Sequence, residues 1–292
     1  MDIELKSFGE TLAIGGLASA MLLAWGSMFP DVGRARQILS KSIFLENRFP
    51  FVRACLVFAL VFASGILIES YAGRVASKRG NLPLKELFSK FLESDKNIRL
   101  RALYEVEKYD DNFLVLKLKP ITAETLKLKY VKNLLTYQQM ALKPAIASAS
   151  DFNTINENKK LTISYPNVKP FEDANNALYY IAKNIAYARP EFHKELKIYE
   201  NRYNFAEAIC FLGIIGTIGT IFVVVAAYSY KRFKLKESIT KKDSVVPVFV
   251  LLGSVLLTFG GRSAHIDGRI EHHIRVFGYL KATEILGKEK NQ

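Results

Sequence analysis

The sequence predicts a mainly α-helical membrane protein: four transmembrane helices, with a mostly helical soluble domain inserted between helices 2 and 3. Two strand-like runs make that insert α+β in the alternative reading. Three observations predict this class. Four stretches are apolar and uncharged, each close to the roughly 20 residues that cross about 30 Å of hydrocarbon. Aromatic residues gather at their ends, where amphipathic rings prefer to lie: Trp25, Phe29, Tyr71, Phe205, Tyr228, Tyr230 and Phe259. Between the second and third stretches, residues 73–204 are polar and numerous enough for a core of their own. Averages over the 292 residues, 50% hydrophobic and 24% charged, conceal this split. The split excludes a uniform soluble globule, a disordered chain and a disulfide scaffold.

The first hairpin is placed at 1–72, with spans at about 11–29 and 51–72. Thr11 to Phe29 holds 19 residues without a charge. The ten residues before it, MDIELKSFGE, are acidic, unlike the basic start of a signal peptide, so the first span is expected to be retained. Ala54 to Ile68 is uncharged and reaches crossing length with its flanks. The second hairpin is placed at 205–261, with spans at about 208–229 and 244–261. Ala208 to Ser229 gives 22 uncharged residues and Ser244 to Gly261 gives 18. Pro247 falls in the first turn of the last span, where a missing N–H costs little. Cys55 and Cys210 lie inside spans and read as small apolar residues.

Four crossings put both tails and the large segment on one face and the two short loops on the other. Cations near the spans are almost balanced, ten in the short loops against eleven on the other face. The short-loop form of the positive-inside rule favours cytoplasmic short loops. Arg74, Lys78 and Arg79 directly after the second span favour a cytoplasmic large domain, as does that domain's lack of Cys and of N-x-[ST] sequons. The latter assignment is adopted here, in an inner or plasma membrane.

Residues 73–204 carry 23 Lys and Arg against 15 Asp and Glu. Pro83 opens a helix through Leu92. Residues 98–109 fit helix or strand equally. An Asp110-Asp111-Asn112 turn leads to a strand at 113–119, a helix follows at 121–142, a second strand at 161–165, and a helix at 171–188. From Pro190 no breaker appears before the membrane, so one helix is expected from about 190 to 229. Residues 262–292 form an amphipathic helical tail with the stripe Ile266, Ile270, Ile274, Phe277 and Leu280. Its expected cover is the soluble domain or a neighbouring subunit, with the membrane surface as alternative.

Gly15, Gly16 and Ser19 in the first span, and Gly213, Gly216 and Gly219 in the third, are the candidate helix-packing residues, because close backbone approach drives association inside lipid. The contact is within one subunit or between subunits. Glu69, Glu207 and Arg262 are the charged candidates at the membrane boundary, all on one face of the topology. A carboxylate there is costly unless paired, so Glu69 or Glu207 with Arg262 is the expected ion pair; an acidic ring at an oligomer's pore mouth is the alternative.

His265 and His272 share a helix face with Arg269 between them, which disfavours a metal, and the histidines read as solvated or interfacial. The lysines at 117, 119, 127, 129 and 132 read as a solvated basic face rather than a nucleic-acid surface. No nucleotide-binding, hydrolase or kinase motif is present. The expectation is a non-enzymatic protein without cofactor or metal, a homo-oligomeric effector or channel-like assembly whose soluble domain receives a partner or ligand. A passive scaffold or subunit of a larger membrane complex is the alternative, and a receptor with an extracytoplasmic domain a third. The layout of four spans with a large segment after the second is similar to flagellar-motor stator subunits; no motif is shared, and no functional residue is carried over.

Overall fold

The computed structural model describes residues 2–29, 50–76, 91–92, 98–99, 101–102, 104–109, 113–118, 160–164, 176, 179–180, 182–236, 238 and 241–289. The helices expected over most of 83–92 and over 121–142, the Asp110-Asp111-Asn112 turn, the loop at 30–49 and the lysine side chains at 117–132 lie outside them. The described elements are α1 (Asp2–Ser27), α2 (Pro50–Ala76), β1 (Tyr104–Tyr109), β2 (Phe113–Leu118), β3 (Lys160–Ser164), α3 (Pro190–Phe233) and α4 (Val245–Glu289), with a 3-10 turn at Lys241–Ser244. Four of these helices are long and apolar enough to cross a membrane.

Both α2 and α3 begin on proline, whose missing N–H would have no helical partner there. The helix expected from 190 is unbroken, and its 44 residues run about 66 Å. α4 is also continuous, 45 residues from the fourth apolar stretch through the tail. Gly260 and Gly261 sit inside it without ending it. At Gly261 a side chain would meet the backbone of Cys210 and Ala206, so close packing of α4 on α3 uses the glycine.

The chain divides into two compact units, Met1–Leu92 with Asn201–His265, and Glu93–Glu200 with Ile266–Gln292. In the first unit α1 packs along α2. A Cβ at Gly15 would overlap the Val61 carbonyl, and one at Gly65 the Thr11 carbonyl. Side chains at Gly213 and Gly216 would strike Thr258 and Ser254, and one at Gly219 the Trp25 ring. Gly16 has open space within 4 Å among the described residues, and Ser19 is half-buried. The interior holds Ile14, Ala18, Ala72, Val75, Cys210, Phe211 and Ile214, and Tyr71 leans on Phe211 with ring centroids 5.4 Å apart. Leu23, Leu60, Leu67, Phe222, Phe249 and Leu256 are each at least 70% exposed. Such an outward-facing apolar surface matches contact with lipid chains. The chain is compatible with a multi-pass integral membrane protein.

The second unit contains an antiparallel sheet of order β1-β2-β3. β1 runs from Tyr104 opposite Leu118 to Tyr109 opposite Leu114, with a register slip between Val106 and Lys108. β2 pairs with β3 from Phe113 opposite Ser164 to Lys117 opposite Lys160. The ambiguous stretch 98–109 is thus strand over 104–109, while 98–99 and 101–102 are helical. Ile98, Ala102, Tyr104, Ala182, Ala186, Leu196, Val276 and Phe277 are buried. Phe192 stacks on Tyr279 at 4.3 Å, and Arg275 bonds Glu195 at 2.7 Å while covering the Tyr199 ring.

Candidate functional site

In the first unit, Ser7, Glu10, Glu69, Ser70, Gly73, Asn201, Asn204, Phe205 and Glu207 line a polar cleft of about 370 Å³. Three carboxylates face it, from α1, α2 and α3, and no Lys or Arg is among the described lining residues. The sequence expectation singled out Glu69 and Glu207; the fold brings both to this cleft. Glu10 joins them. Its signal was legible: it is the acid directly before the first span, on the same face of the topology.

Each charged candidate has a distinct local environment. The Thr11 hydroxyl lies 3.0 Å from both Glu69 carboxylate oxygens. Glu207 is buried, and one of its oxygens is 3.6 Å from His265 Nδ1. That ring nitrogen is also 3.0 Å from the Tyr203 carbonyl. Arg262 was expected to pair with Glu69 or Glu207. Its Nε donates to the Phe91 carbonyl at 2.8 Å, and its guanidinium lies over the Phe91 ring at 5.2 Å from the centroid. Deeper in the bundle, the Trp25 indole N–H donates to Thr220 Oγ1 at 2.9 Å, and the Thr220 and Thr258 hydroxyls donate to carbonyls one turn back, Gly216 and Ser254.

The second unit buries two histidines that sequence spacing placed in solvent or at an interface. His272 and His273 are 1% and 2% exposed. Periodicity misleads here because the stripe facing the core is wider than its aliphatic members. His272 Nδ1 lies 3.4 Å from the Tyr179 hydroxyl, and Nε2 lies 3.2 Å from the Tyr187 hydroxyl. The Tyr187 hydroxyl donates in turn to Glu200, which also accepts from Lys197 at 2.9 Å. One arrangement gives every group a proton or a lone pair. Tyr179 donates to Nδ1, Nε2–H donates to Tyr187, and Tyr187 donates to Glu200.

Burial, helped by the nearby Lys183 and Arg269 charges and opposed by Glu200, pushes the His272 imidazole down to about 4. His273 is held well below its usual value by burial and by Arg269. Burial also raises the Tyr179 and Tyr187 hydroxyls above their usual range. Burial works to raise Glu200, but the Lys197 ammonium outweighs it and the carboxyl ends below its usual value. Arg99, also buried, donates to Asn176 at 2.7 Å and to the Tyr180 hydroxyl at 3.2 Å, and stacks on both Tyr179 and Tyr180. Near neutral pH this is a cluster of neutral rings beside the Arg99 guanidinium, with Lys183 and Arg269 nearby.

No protein-family model, no curated protein and no solved structure matches the chain.

Proposed function

We propose that the chain is a non-enzymatic membrane effector, working as a homo-oligomer with channel-like conductance. Its polar insert, on the cytoplasmic side, receives a protein partner or ligand, and the long helices carry the response to the spans. The observation that supports this most is the continuity of α3. Residues 190–200 belong to one compact unit and 201–233 to the other, within one unbroken helix. The cleft with Glu10, Glu69 and Glu207 is the element of the bundle suited to respond, because carboxylates clustered at a membrane boundary attract cations.

Planar-bilayer recording of the purified full chain tests the reading. Cation conductance is expected from the wild type and a several-fold loss from the double change Glu69→Gln with Glu207→Gln. Arg202→Pro, which breaks α3, should leave a basal conductance that a partner no longer modulates. A silent wild type, or equal conductance in the double variant, overturns the conducting role. The passive-scaffold alternative then predicts that deletion of 73–189 abolishes partner capture with membrane permeability untouched. Sidedness is tested with single cysteines at Ser150 and Ser238 in a Cys55→Ser, Cys210→Ala background. An impermeant thiol reagent on intact cells should label position 238 and spare position 150.

A further inference from the structure

We propose that the exposed basic end of the α3–α4 hairpin, Arg232, Lys234 and Lys236 around Phe233, binds the headgroups of anionic phospholipids. This goes beyond the effector reading and rests on the bundle sitting in a bilayer with anionic lipid in the leaflet at this end, whichever side that is. Segment 231–243 carries six cations and two acids. Arg232, Lys234 and Lys236 are exposed, and they alternate with Phe233, which is 79% exposed, and the half-buried Leu235.

The end of the hairpin is held in place by its own contacts. Lys231 Nζ lies 2.8 Å from both Asp243 oxygens, so the acid of the 3-10 turn before α4 is engaged by a different cation. The Tyr228 hydroxyl bonds Ser244 at 3.1 Å. The Tyr230 carbonyl accepts from the Lys234 and Leu235 N–H groups, and its ring lies 5.1 Å from the Lys234 ammonium. Lys236 adopts φ 56°, a left-handed turn conformation uncommon for a side chain of this kind.

This basic end continues a lipid-facing surface. Phe222 and Val225 on α3, and Val246 and Phe249 on α4, are all exposed. Aromatic rings settle at headgroup depth, and each Lys or Arg there gains from a negatively charged surface. The Arg232 fork suits a phosphate, with the lysines as added point charges. A soluble phosphate would leave Phe233 in water; a phospholipid covers it with acyl chain while its headgroup meets the cations.

The chain's single tryptophan supplies the measurement. Trp25 contacts Thr220, twelve residues before Arg232 on α3 and so about 18 Å away along the helix. Energy transfer from Trp25 to pyrene-labelled lipid, in the reconstituted full chain, compares phosphatidylglycerol with phosphatidylcholine. The wild type should favour the anionic lipid several-fold at low salt, and less as salt rises. The triple change Arg232→Gln, Lys234→Gln, Lys236→Gln should cut that preference at least about five-fold. The charge-keeping set Arg232→Lys, Lys234→Arg, Lys236→Arg should retain it. No preference in the wild type, a preference unaffected by salt, an unchanged preference in the glutamine variant, or its loss in the charge-keeping set overturns the proposal. Displacement by inorganic phosphate beyond that of chloride at equal ionic strength would assign the cations to a soluble anion instead.

Discussion

In the unit formed by Met1–Leu92 and Asn201–His265, many large side chains face outward, and glycines and alanines occupy the helix contacts beside a few buried large groups such as Ile14 and Phe211. Leu23 and Leu256 are 76% and 73% exposed, while Ala18, Ala72 and Ala208 are buried and Gly15, Gly65, Gly213 and Gly261 sit at helix contacts. In the unit formed by Glu93–Glu200 and Ile266–Gln292, large rings share the interior with small residues such as Ala102, Ala182 and Ala186. Phe277, Tyr179, His272 and His273 fill the interior. The first pattern is compatible with helices packed in a bilayer. Hydrocarbon offers no hydrophobic drive between helices, so close backbone approach and a few hydroxyl bonds decide the first. In the second, large rings and their polar partners pack against one another.

The largest effect is expected from bulk placed at a close helix contact of the first unit. Gly15→Leu should destabilise the bundle by about 3 kcal/mol or more, because the Val61 carbonyl occupies the space. Gly16→Leu, one residue away and with no described atom within 4 Å of a Cβ there, should be close to neutral. Thermal unfolding in detergent, followed by circular dichroism, reads both. Equal effects would mean that α1 does not use this face.

Acid should discriminate between the units in the opposite direction. His272 has its folded value near 4 against a usual 6.5, so the neutral ring is the form that the fold favours. The stabilisation is complete above pH 6.5 and is lost as pH falls toward 4, an effect of about 3 kcal/mol before His273 adds in the same direction. Hydrogen exchange should show protection disappearing over 182–200 and 266–279 across that window, with 208–229 and 245–261 still protected. Simultaneous loss in all four stretches would erase the distinction.

Two smaller changes sharpen it further. Thr11→Val removes the hydroxyl that Glu69 accepts from, at a cost of about 1–2 kcal/mol in the first unit. Asp243→Asn weakens the partly exposed pair with Lys231 by about 0.5–1 kcal/mol, a small lowering of the melting temperature that high salt should abolish. A salt-independent loss would show that the screened charge pair with Lys231 is not what the substitution removes.

Much of this was legible from residue order. Long uncharged runs specify crossing helices without reference to any partner, because the bilayer imposes one length and one polarity. Pro190, followed by no breaker, specified α3. FLVLKL and LTIS carried enough β-branched and apolar alternation to mark β2 and β3. Glu69 and Glu207 were visible as acids at span ends. That Glu10 shares their cleft, that Arg262 turns to the Phe91 carbonyl, and that His265 faces Glu207 depend on helix rotation, which a one-dimensional pattern leaves open.

Residue order alone places four apolar runs long enough to cross a membrane, since that length follows from local composition measured against a fixed thickness of hydrocarbon. Only the tertiary structure decided that 104–109 is strand, because pairing with Phe113–Leu118 outweighs a balanced local propensity. It alone decided that Gly260 and Gly261 continue a helix, since neighbouring backbone fills the space where Gly261 would carry a side chain. It alone also buried His272 and His273, because two tyrosine hydroxyls far along the chain supply what the His272 ring would otherwise take from water, and the Tyr179 ring covers His273.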